Sequence, residues 1–407
     1  MTKKISSCGG TTATGSAGRQ LVTRRRAGLL AGGSALAATS RVYAAPAPKD
    51  PPVFRIGALL GLTDKSNWNA LVMQRGILMA VEEINAQGGI DGIKVEAAIE
   101  DHAGVPRVGV DAMRRLISRY DIQAVLLSYS TVGLAVAPIC EEHKIFMLDG
   151  GSITDNLVGR FKYLFHNRSL ASTVAQAALT VAKQKGYKKM AEMAFSTADG
   201  QSLVHAAEAD WKAYGGTIVG YQTTVSTATN IDTQMTKLRY SGADFLAVWE
   251  FSPGPGLVLK RAREYGMKQP IIGVEYTAEI QKIAGNYTNG YIFASDYFNP
   301  QSKDAWPQRF TAAYKKRYGA DPEIYAANYY EGIYIVADCI RRARREGGDY
   351  FTGTRLMEAL RAKPTVPSVY GGDITFLPNG ACLKRVGIFT VEDAKAVFQH
   401  YAKVSQT

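Results

Sequence analysis

The chain has 407 residues, of which 46% are hydrophobic and 21% are charged. This composition is typical of a globular protein with enough apolar mass for two domains, and it excludes collagen-like and disordered chains. Seven of the positive charges behind the formal net charge of +12 fall within residues 1–44, which contain no acidic residue, so that the rest of the chain carries +5. A charge of this size does not predict a nucleic-acid partner.

The N-terminus has the features of an export signal. A twin-arginine pattern at Thr23–Leu30 overlaps the start of an uncharged, weakly apolar segment at Ala27–Thr39, and Val42–Ala44 has the small residues of a cleavage site. The apolar segment is shorter than the roughly 20 residues that span a bilayer, which disfavours a membrane anchor. We predict an export signal over residues 1–44, cleavage near Ala44 and a periplasmic location. Twin-arginine and general secretory export both remain open.

From residue 53 onward, short apolar runs alternate with amphipathic stretches. Apolar runs of this kind predict short strands, and apolar residues at helical spacing predict the helices between them. Helices are predicted at 73–84, 105–120 and 133–143, between strands at Phe54–Leu60, Lys94–Glu100, Ile122–Leu127 and Ile145–Leu148. This order predicts a parallel sheet with right-handed crossovers.

The same alternation then starts again. Helices at 170–185, 201–214, 231–241 and 256–265 flank predicted strands at Lys188–Phe195, Thr217–Thr224, Asp244–Trp249 and Pro270–Val274. Further helices are predicted at 303–318, 323–345 and 354–361. One open sheet containing all these strands would be unusually wide. We therefore predict an α/β fold with two sheets and a boundary near Phe165–Leu170.

Ligands of parallel α/β sheets bind at the carboxyl ends of the strands, so the residues that follow each strand are candidates. Hydroxyl groups and glycines follow the strands of the first sheet, whereas aromatic residues and carboxylates follow those of the second. The candidates are Trp68, Ser130, Thr131, Gly151, Ser152, Asp199, Phe251 and Glu275. This asymmetry predicts a zwitterionic ligand between the two halves, with the glycine-rich turn at 150–152 offering amides to a carboxylate.

Each candidate also has a structural interpretation. Ser130, Thr131 and Ser152 are typical turn or helix-capping residues. Glu275 could cap the helix predicted after it, where the positive end of the helix dipole stabilises a carboxylate. The aromatic residues, taken singly, are more typical of packing. Only the set as a whole favours a ligand site.

The sequence disfavours an enzyme. It has no H-E-x-x-H or G-x-S-x-G motif and no phosphate-binding glycine motif after a strand. No metal-ligand spacing is present, and we expect neither a metal nor another cofactor. Beyond residue 44 the chain has Cys140, Cys339 and Cys382. A bridge between Cys339 and Cys382 and buried free thiols are both compatible with that odd number.

Three segments carry a family resemblance. Phe54–Leu62, Val81–Gly92 and Ala135–Glu142 resemble the branched-chain amino-acid binding proteins of ABC importers. The most specific of them is the pattern A-x-x-x-I-N-A-x-G-G-I-x-G, which begins at Ala80 and ends at Gly92. The resemblance covers nearly the whole chain from about Val53 to the C-terminal region.

The resemblance implies a type I periplasmic binding protein, in which two Rossmann-like lobes with parallel sheets are joined by a three-crossing hinge. The implied lobes are 53–168 with 298–378 and 169–297 with 379–407. In such a protein Ser130, Gly151 and Ser152 would hold the ligand carboxylate and Glu275 its ammonium, while Trp68 would line the site. The implied partners are the permease subunits of an importer and a small-molecule ligand, and the protein is expected to be a monomer.

Two residues depart from the family pattern. Asp199 and Phe251 each stand where familiar members have a tyrosine, so strict leucine or valine specificity is not implied. The predicted function is the solute-binding component of an ABC importer for an amino acid or a related small carboxylate. The alternatives are an aromatic acid, a small amide or urea as the ligand, the sensing ectodomain of a signalling system, or an exported hydrolase.

Overall fold

A computed structural model describes residues 46–64 and 69–404. The predicted export signal and Trp68 lie outside these ranges. The described residues belong to one compact unit. No helix within the described ranges is both long and apolar enough to cross a bilayer.

The helices of the described ranges are α1 (Asn69–Ala86), α2 (Pro106–Tyr120), α3 (Ser130–Glu142), α4 (Ala171–Gln184), α5 (Ala198–Ala213), α6 (Asp232–Arg239), α7 (Gly254–Glu264), α8 (Ala278–Ala284), α9 (Ala305–Tyr318), α10 (Ile324–Arg345) and α11 (Gly353–Ala362). The strands are β1 (Phe54–Leu60), β2 (Val95–Asp101), β3 (Ala124–Leu127), β4 (Phe146–Asp149), β5 (Leu164–His166), β6 (Lys189–Phe195), β7 (Thr217–Thr224), β8 (Phe245–Trp249), β9 (Ile271–Gly273), β10 (Ile292–Ser295), β11 (Thr365–Pro367), β12 (Asp373–Phe376), β13 (Cys382–Leu383), β14 (Gly387–Glu392) and β15 (Lys395–Tyr401).

The first sheet has the strand order β2-β1-β3-β4-β5, and every neighbouring pair is parallel. Its central strands are continuous apolar runs, as expected for a sheet that is covered on both faces. Helices α1 and α10 pack against each other beside this sheet. Gly76 permits the close approach, because a Cβ atom at this position would collide with the backbone carbonyl of Ala326.

The second sheet has the order β15-β14-β10-β9-β8-β6-β7 and is mixed rather than wholly parallel. Strand β14 pairs antiparallel with both β10 and β15. The prediction of a parallel sheet is therefore wrong at this edge. Asp393 and Ala394, which connect β14 to β15, both have positive φ, at 47° and 62°, as in the two-residue turns that suit a hairpin. The alternation of helix and strand ends before this point, so no crossover helix joins the two strands.

Three connections link the two main sheets. The chain passes from β5 to α4, whose helix packs beside β10 and β14 of the second sheet. It returns after β10, since Phe298 and Phe310 belong to the apolar core around the first sheet. It passes across again between β13 and β14, after a small antiparallel sheet of β11, β12 and β13 that the sequence did not predict. These connections bring the carboxyl ends of strands from both sheets to a common cavity.

Candidate functional site

A cavity of about 110 Å³ lies between residues that follow strands of the two sheets. Ser130, Thr131 and Gly151 line it on the side of the first sheet. Asp199 and Phe251 line it on the side of the second. The structure thus brings five of the predicted residues to one cavity. For scale, an apolar cavity of about 150 Å³ accommodates benzene, so this space suits a small ligand.

Helix α3 begins at the cavity wall. Strand β3 ends at Leu127, and Tyr129 turns the chain with a positive φ of 61° before the helix starts at Ser130. A positive φ is uncommon for a residue other than glycine and is often found at functional sites. The Ser130 hydroxyl oxygen accepts a hydrogen bond from the Ile153 amide at 3.3 Å, which leaves its proton for donation. A hydroxyl group beside the positive end of a helix is well suited to bind a carboxylate.

Two amides of the glycine-rich turn after β4 already have an acceptor within the protein. The Gly151 and Ser152 amides both donate to Oδ1 of Asp149, at 3.1 and 2.8 Å. Neither of these two amides is available to a ligand carboxylate in this structure, because the chain's own carboxylate accepts from both. Gly151 still lines the cavity, and a side chain there would crowd the backbone of Ser128. Ser152 is buried and is not part of the cavity wall.

Glu275 lies behind the cavity rather than on its wall. It is 2% exposed, and its two carboxylate oxygens accept hydrogen bonds of 2.6 Å each from the Ser252 amide and the Tyr325 hydroxyl. Ser252 and Tyr325 do line the cavity. Burial raises the pKa of Glu275, and the hydrogen bond from Tyr325 opposes that shift. In this structure Glu275 positions two residues of the wall.

Asp199 and Phe251 supply one acidic and one aromatic residue from the second sheet's side. Asp199 is in the first turn of α5, which begins after β6. Burial raises the pKa of Asp199, while the Thr197 hydroxyl, the Gly200 amide and the charge of Arg168 lower it. Phe251 is 8% exposed and follows β8.

Arg168 is the main residue that sequence reasoning missed. It follows β5, lines the cavity and is only 3% exposed. Its Nη1 donates to the Gly151 carbonyl at 3.0 Å. Burial by itself lowers the pKa of Arg168, but Tyr325, Asp296 and Glu275 together raise it above its ordinary value. The guanidinium therefore remains charged in the site.

His102 supports the aromatic wall at Tyr129. The two rings meet edge to face with their centroids 4.8 Å apart. The Gly104 amide donates to Nδ1 of His102, so the proton resides on Nε2, which lies 3.0 Å from the Ser128 hydroxyl oxygen. Burial lowers the pKa of His102 to about 4. The ring is therefore a neutral structural support at physiological pH.

The part of the chain that the structure describes has neither a cluster of metal ligands nor a disulfide. Across residues 46–64 and 69–404, no group of three or more His, Cys, Asp and Glu side chains could hold a metal ion. Cys140, Cys339 and Cys382 are separate buried thiols. The structure thus has free thiols where the sequence left a disulfide open.

Comparison with known proteins identifies the family. A model of the periplasmic binding protein family matches residues 53–396. The chain belongs to this family. This periplasmic binding protein is 27% identical over 306 residues to the Leu/Ile/Val-binding protein homolog 8 of Brucella abortus (strain 2308), a match that covers 71% of this chain and 75% of the relative. The resemblance seen in Phe54–Leu62, Val81–Gly92 and Ala135–Glu142 is confirmed.

Solved structures show the same fold. The leucine binding protein LivK of Thermotoga maritima superposes with a TM-score of 0.79 at 22% identity, covering 86% of this chain and 99% of that one. A solute binding protein of an ABC transporter from R. palustris, in complex with benzoate, also has a TM-score of 0.79, at 16% identity and with coverages of 87% and 98%. The protein therefore has the type I periplasmic binding protein fold, and the predicted fold class is confirmed. The family and the fold are those of solute-binding proteins rather than of enzymes.

Proposed function

We propose that this protein is the extracytoplasmic solute-binding component of an ABC importer and that it binds an amino acid or a related small carboxylate. The observation that carries this proposal is the cavity between the two sheets, where the start of α3 faces Asp199 and Phe251. A carboxylate at the start of α3 would accept a hydrogen bond from Ser130. Each such charge-assisted bond contributes about 1.5–3 kcal/mol.

Ligand binding and closure are coupled in this proposal. We divide the protein into a lobe of residues 53–168 with 298–378 and a lobe of residues 169–297 with 379–407. A ligand that contacts both lobes only when they are together stabilises the closed state by its differential affinity. The Thr154 and Ser202 hydroxyls, which belong to different lobes, lie 2.7 Å apart and would separate on opening. Hinge closure of this kind is an established property of periplasmic binding proteins.

The cellular setting follows from the same proposal. An exported protein cleaved near Ala44 would act in the periplasm as a monomer and deliver its ligand to the permease subunits of the importer. The match to the Brucella protein and the fold shared with the leucine- and benzoate-binding proteins support an organic carboxylate as the ligand. The Ser130 and Thr131 hydroxyls and the Arg168 guanidinium supply donors for such a group.

A ligand screen tests the proposal. Protein beginning at Ala45 would be heated with amino acids, aromatic acids, amides and polyamines, and the shift in Tm recorded. A ligand at about 100 times its Kd stabilises the folded state by about 2.7 kcal/mol. We expect at least one amino acid or small carboxylic acid to raise Tm, with calorimetry giving one site per chain. If neither class binds, the proposal fails.

A further inference from the structure

The Arg168 guanidinium has a donor that the protein leaves without an acceptor. Its Nη1 donates to the Gly151 carbonyl, and the guanidinium lies over the Tyr325 ring. Its Nε has no hydrogen-bond partner among the described residues, although the residue is 97% buried. A buried donor without an acceptor lowers the stability of the folded state, and the loss is larger when the donor belongs to a charged group. Because Arg168 lines the cavity, a ligand anion is the natural acceptor.

The surroundings of Arg168 indicate what this anion is attached to. Its Cζ lies 5.6 Å from the centroid of the Phe251 ring and 5.4 Å from that of Tyr325. Tyr129 and Phe195 add two more rings to the cavity wall. Four aromatic walls suit a flat ring better than a branched chain, because offset or edge-to-face ring contacts favour planar partners. At about 110 Å³ the cavity is smaller than the roughly 150 Å³ that hold benzene, so a substituted ring would enter only with the two lobes slightly further apart.

Glu275, the residue predicted to bind a ligand ammonium, already accepts hydrogen bonds from the protein. Both carboxylate oxygens of Glu275 accept hydrogen bonds from the protein, and Glu275 does not line the cavity. An ammonium at Asp199 would instead enter a small cavity that already contains the Arg168 cation, whose charge acts on Asp199. A hydroxyl group can donate to a carboxyl oxygen of Asp199 without adding a second cation.

We infer that the ligand is a hydroxylated aromatic monocarboxylate, whose carboxylate binds Arg168 and the start of α3 and whose hydroxyl donates to Asp199. This inference rests on the proposed solute-binding function. It narrows the ligand to one class and assigns the two polar contacts that select it. Arg168 would make the affinity for acids higher than that for amides, and Asp199 would make the affinity for hydroxylated rings higher than that for unsubstituted rings.

Calorimetry with matched ligands tests both assignments in protein beginning at Ala45. The probes are 3- and 4-hydroxybenzoate, benzoate, the corresponding hydroxybenzamides, L-leucine and L-phenylalanine. We expect at least one hydroxybenzoate to bind about 10- to 100-fold more tightly than its amide, the range expected for one hydrogen bond to a charged group. The same hydroxybenzoate should bind about tenfold more tightly than benzoate.

Variants separate the two contacts. Arg168→Gln should lower the affinity for the acid and leave that for the amide nearly unchanged, so that the ratio of the two affinities falls towards one. Asp199→Ala should remove the preference for hydroxybenzoate over benzoate and retain the preference for acid over amide. Arg119→Gln and Asp111→Asn, at exposed positions of α2, should match the wild type in both ratios. Arg168→Lys, which keeps the charge, should retain part of the preference for acids.

The outcomes distinguish the inference from the proposed function. If L-leucine or L-phenylalanine binds and the hydroxybenzoates do not, this inference is overturned and the solute-binding proposal stands. If none of the probes binds, and the broader screen of amino acids and carboxylic acids also finds no ligand, the solute-binding proposal falls with it. Unchanged ratios in folded Arg168→Gln protein would remove Arg168 from the site. Should that variant not fold, the wild-type ratios of acid to amide and of hydroxybenzoate to benzoate still decide the ligand class.

Discussion

The Tyr325 hydroxyl, on α10, donates to Oε1 of Glu275 at 2.6 Å. Tyr325 comes from a helix beside the first sheet and Glu275 from the end of β9 in the second sheet, so this bond links the two halves of the molecule beside the cavity. The other oxygen of Glu275 holds the Ser252 amide. One buried carboxylate thereby positions two residues of the cavity wall that come from different parts of the fold.

The link between Tyr325 and Glu275 makes a testable distinction between a positioning role and direct ligand contact. If Glu275 only positions the wall, Glu275→Gln and Tyr325→Phe should each weaken ligand binding by about 3- to 10-fold, the scale of one hydrogen bond. Calorimetry with the best ligand of the screen measures the effect. A complete loss of amino-acid binding in Glu275→Gln, with little effect of Tyr325→Phe, would instead support the ammonium contact that the family resemblance implies.

Ser130 and Ser152 were both predicted to bind the ligand carboxylate, but only Ser130 lines the cavity. We expect Ser130→Ala to weaken binding of a carboxylate about 10- to 100-fold, because one charge-assisted hydrogen bond of about 1.5–3 kcal/mol is lost at the start of α3. Ser152→Ala should leave the affinity unchanged, since Ser152 is fully buried and does not line the cavity. Titration of both variants with one ligand checks this. A larger loss in Ser152→Ala would show that the turn at 150–152 rearranges when the ligand binds.

The sequence was most informative where a strand feeds directly into a helix. Ser130 and Thr131 were predicted at the site because they follow an apolar run and precede a helical pattern, and the carboxyl ends of parallel strands share one edge. The same reasoning placed Asp199 and Phe251. These residues are found at the cavity because strand order and helix start together determine their positions.

The sequence was least informative in two situations: beside a very short strand, and where the direction of a side chain determines what it contacts. Strand β5 has only three residues, too few to show a periodicity, and Arg168 directly beyond it was missed. Glu275 was placed in the correct part of the chain, but its side chain turns towards Tyr325, which lies 50 residues away in sequence. The amides of the glycine-rich turn were assigned to a ligand because the acceptor role of Asp149 depends on a side-chain direction.

A buried ion pair near the third connection between the sheets should dominate the stability of that region. Lys384 Nζ lies 3.0 Å from Oε2 of Glu331, and the two side chains are 5% and 0% exposed. Lys384→Met would leave the Glu331 charge buried without its partner, and such losses cost about 3 to 5 kcal/mol. We therefore expect a marked fall in the urea midpoint.

Two further variants make this prediction specific. The double variant Lys384→Met with Glu331→Leu should recover much of the stability, because no unpaired charge then remains. Lys316→Met, at an exposed position of α9, serves as the control and should unfold like the wild type. Equal destabilisation of the single and the double variant would indicate that the hydrogen bonds of Lys384 to Asn167 and Asn328, rather than its charge, are what matter.

Glu192 should make the protein less stable as the pH rises. It is fully buried on β6, where Trp249 Nε1 donates to its Oε1 at 2.8 Å and Oε2 has no partner among the described residues. Burial raises the pKa of Glu192 from 4.5 to about 7. Between pH 4.5 and about pH 7 the Glu192 side chain is protonated in the folded state and ionised in the unfolded state. The free energy of unfolding therefore falls over this range and levels off above about pH 7. At about 1.4 kcal/mol for each pKa unit, this group contributes a loss of about 3 to 4 kcal/mol.

Glu192→Gln tests this effect because an amide oxygen can still accept from Trp249 and the side chain no longer ionises. Urea unfolding at pH 5 and pH 8 should show a smaller difference in unfolding free energy for the variant than for the wild type. Some pH dependence should remain in the variant, since burial also raises the pKa values of Glu250 and Glu323 to about 7. Glu358→Gln, at an exposed position of α11, should retain the wild-type difference. If Glu192→Gln and the wild type lose the same stability between the two pH values, Glu192 is ionised in the folded protein at pH 5 and its burial carries no such penalty.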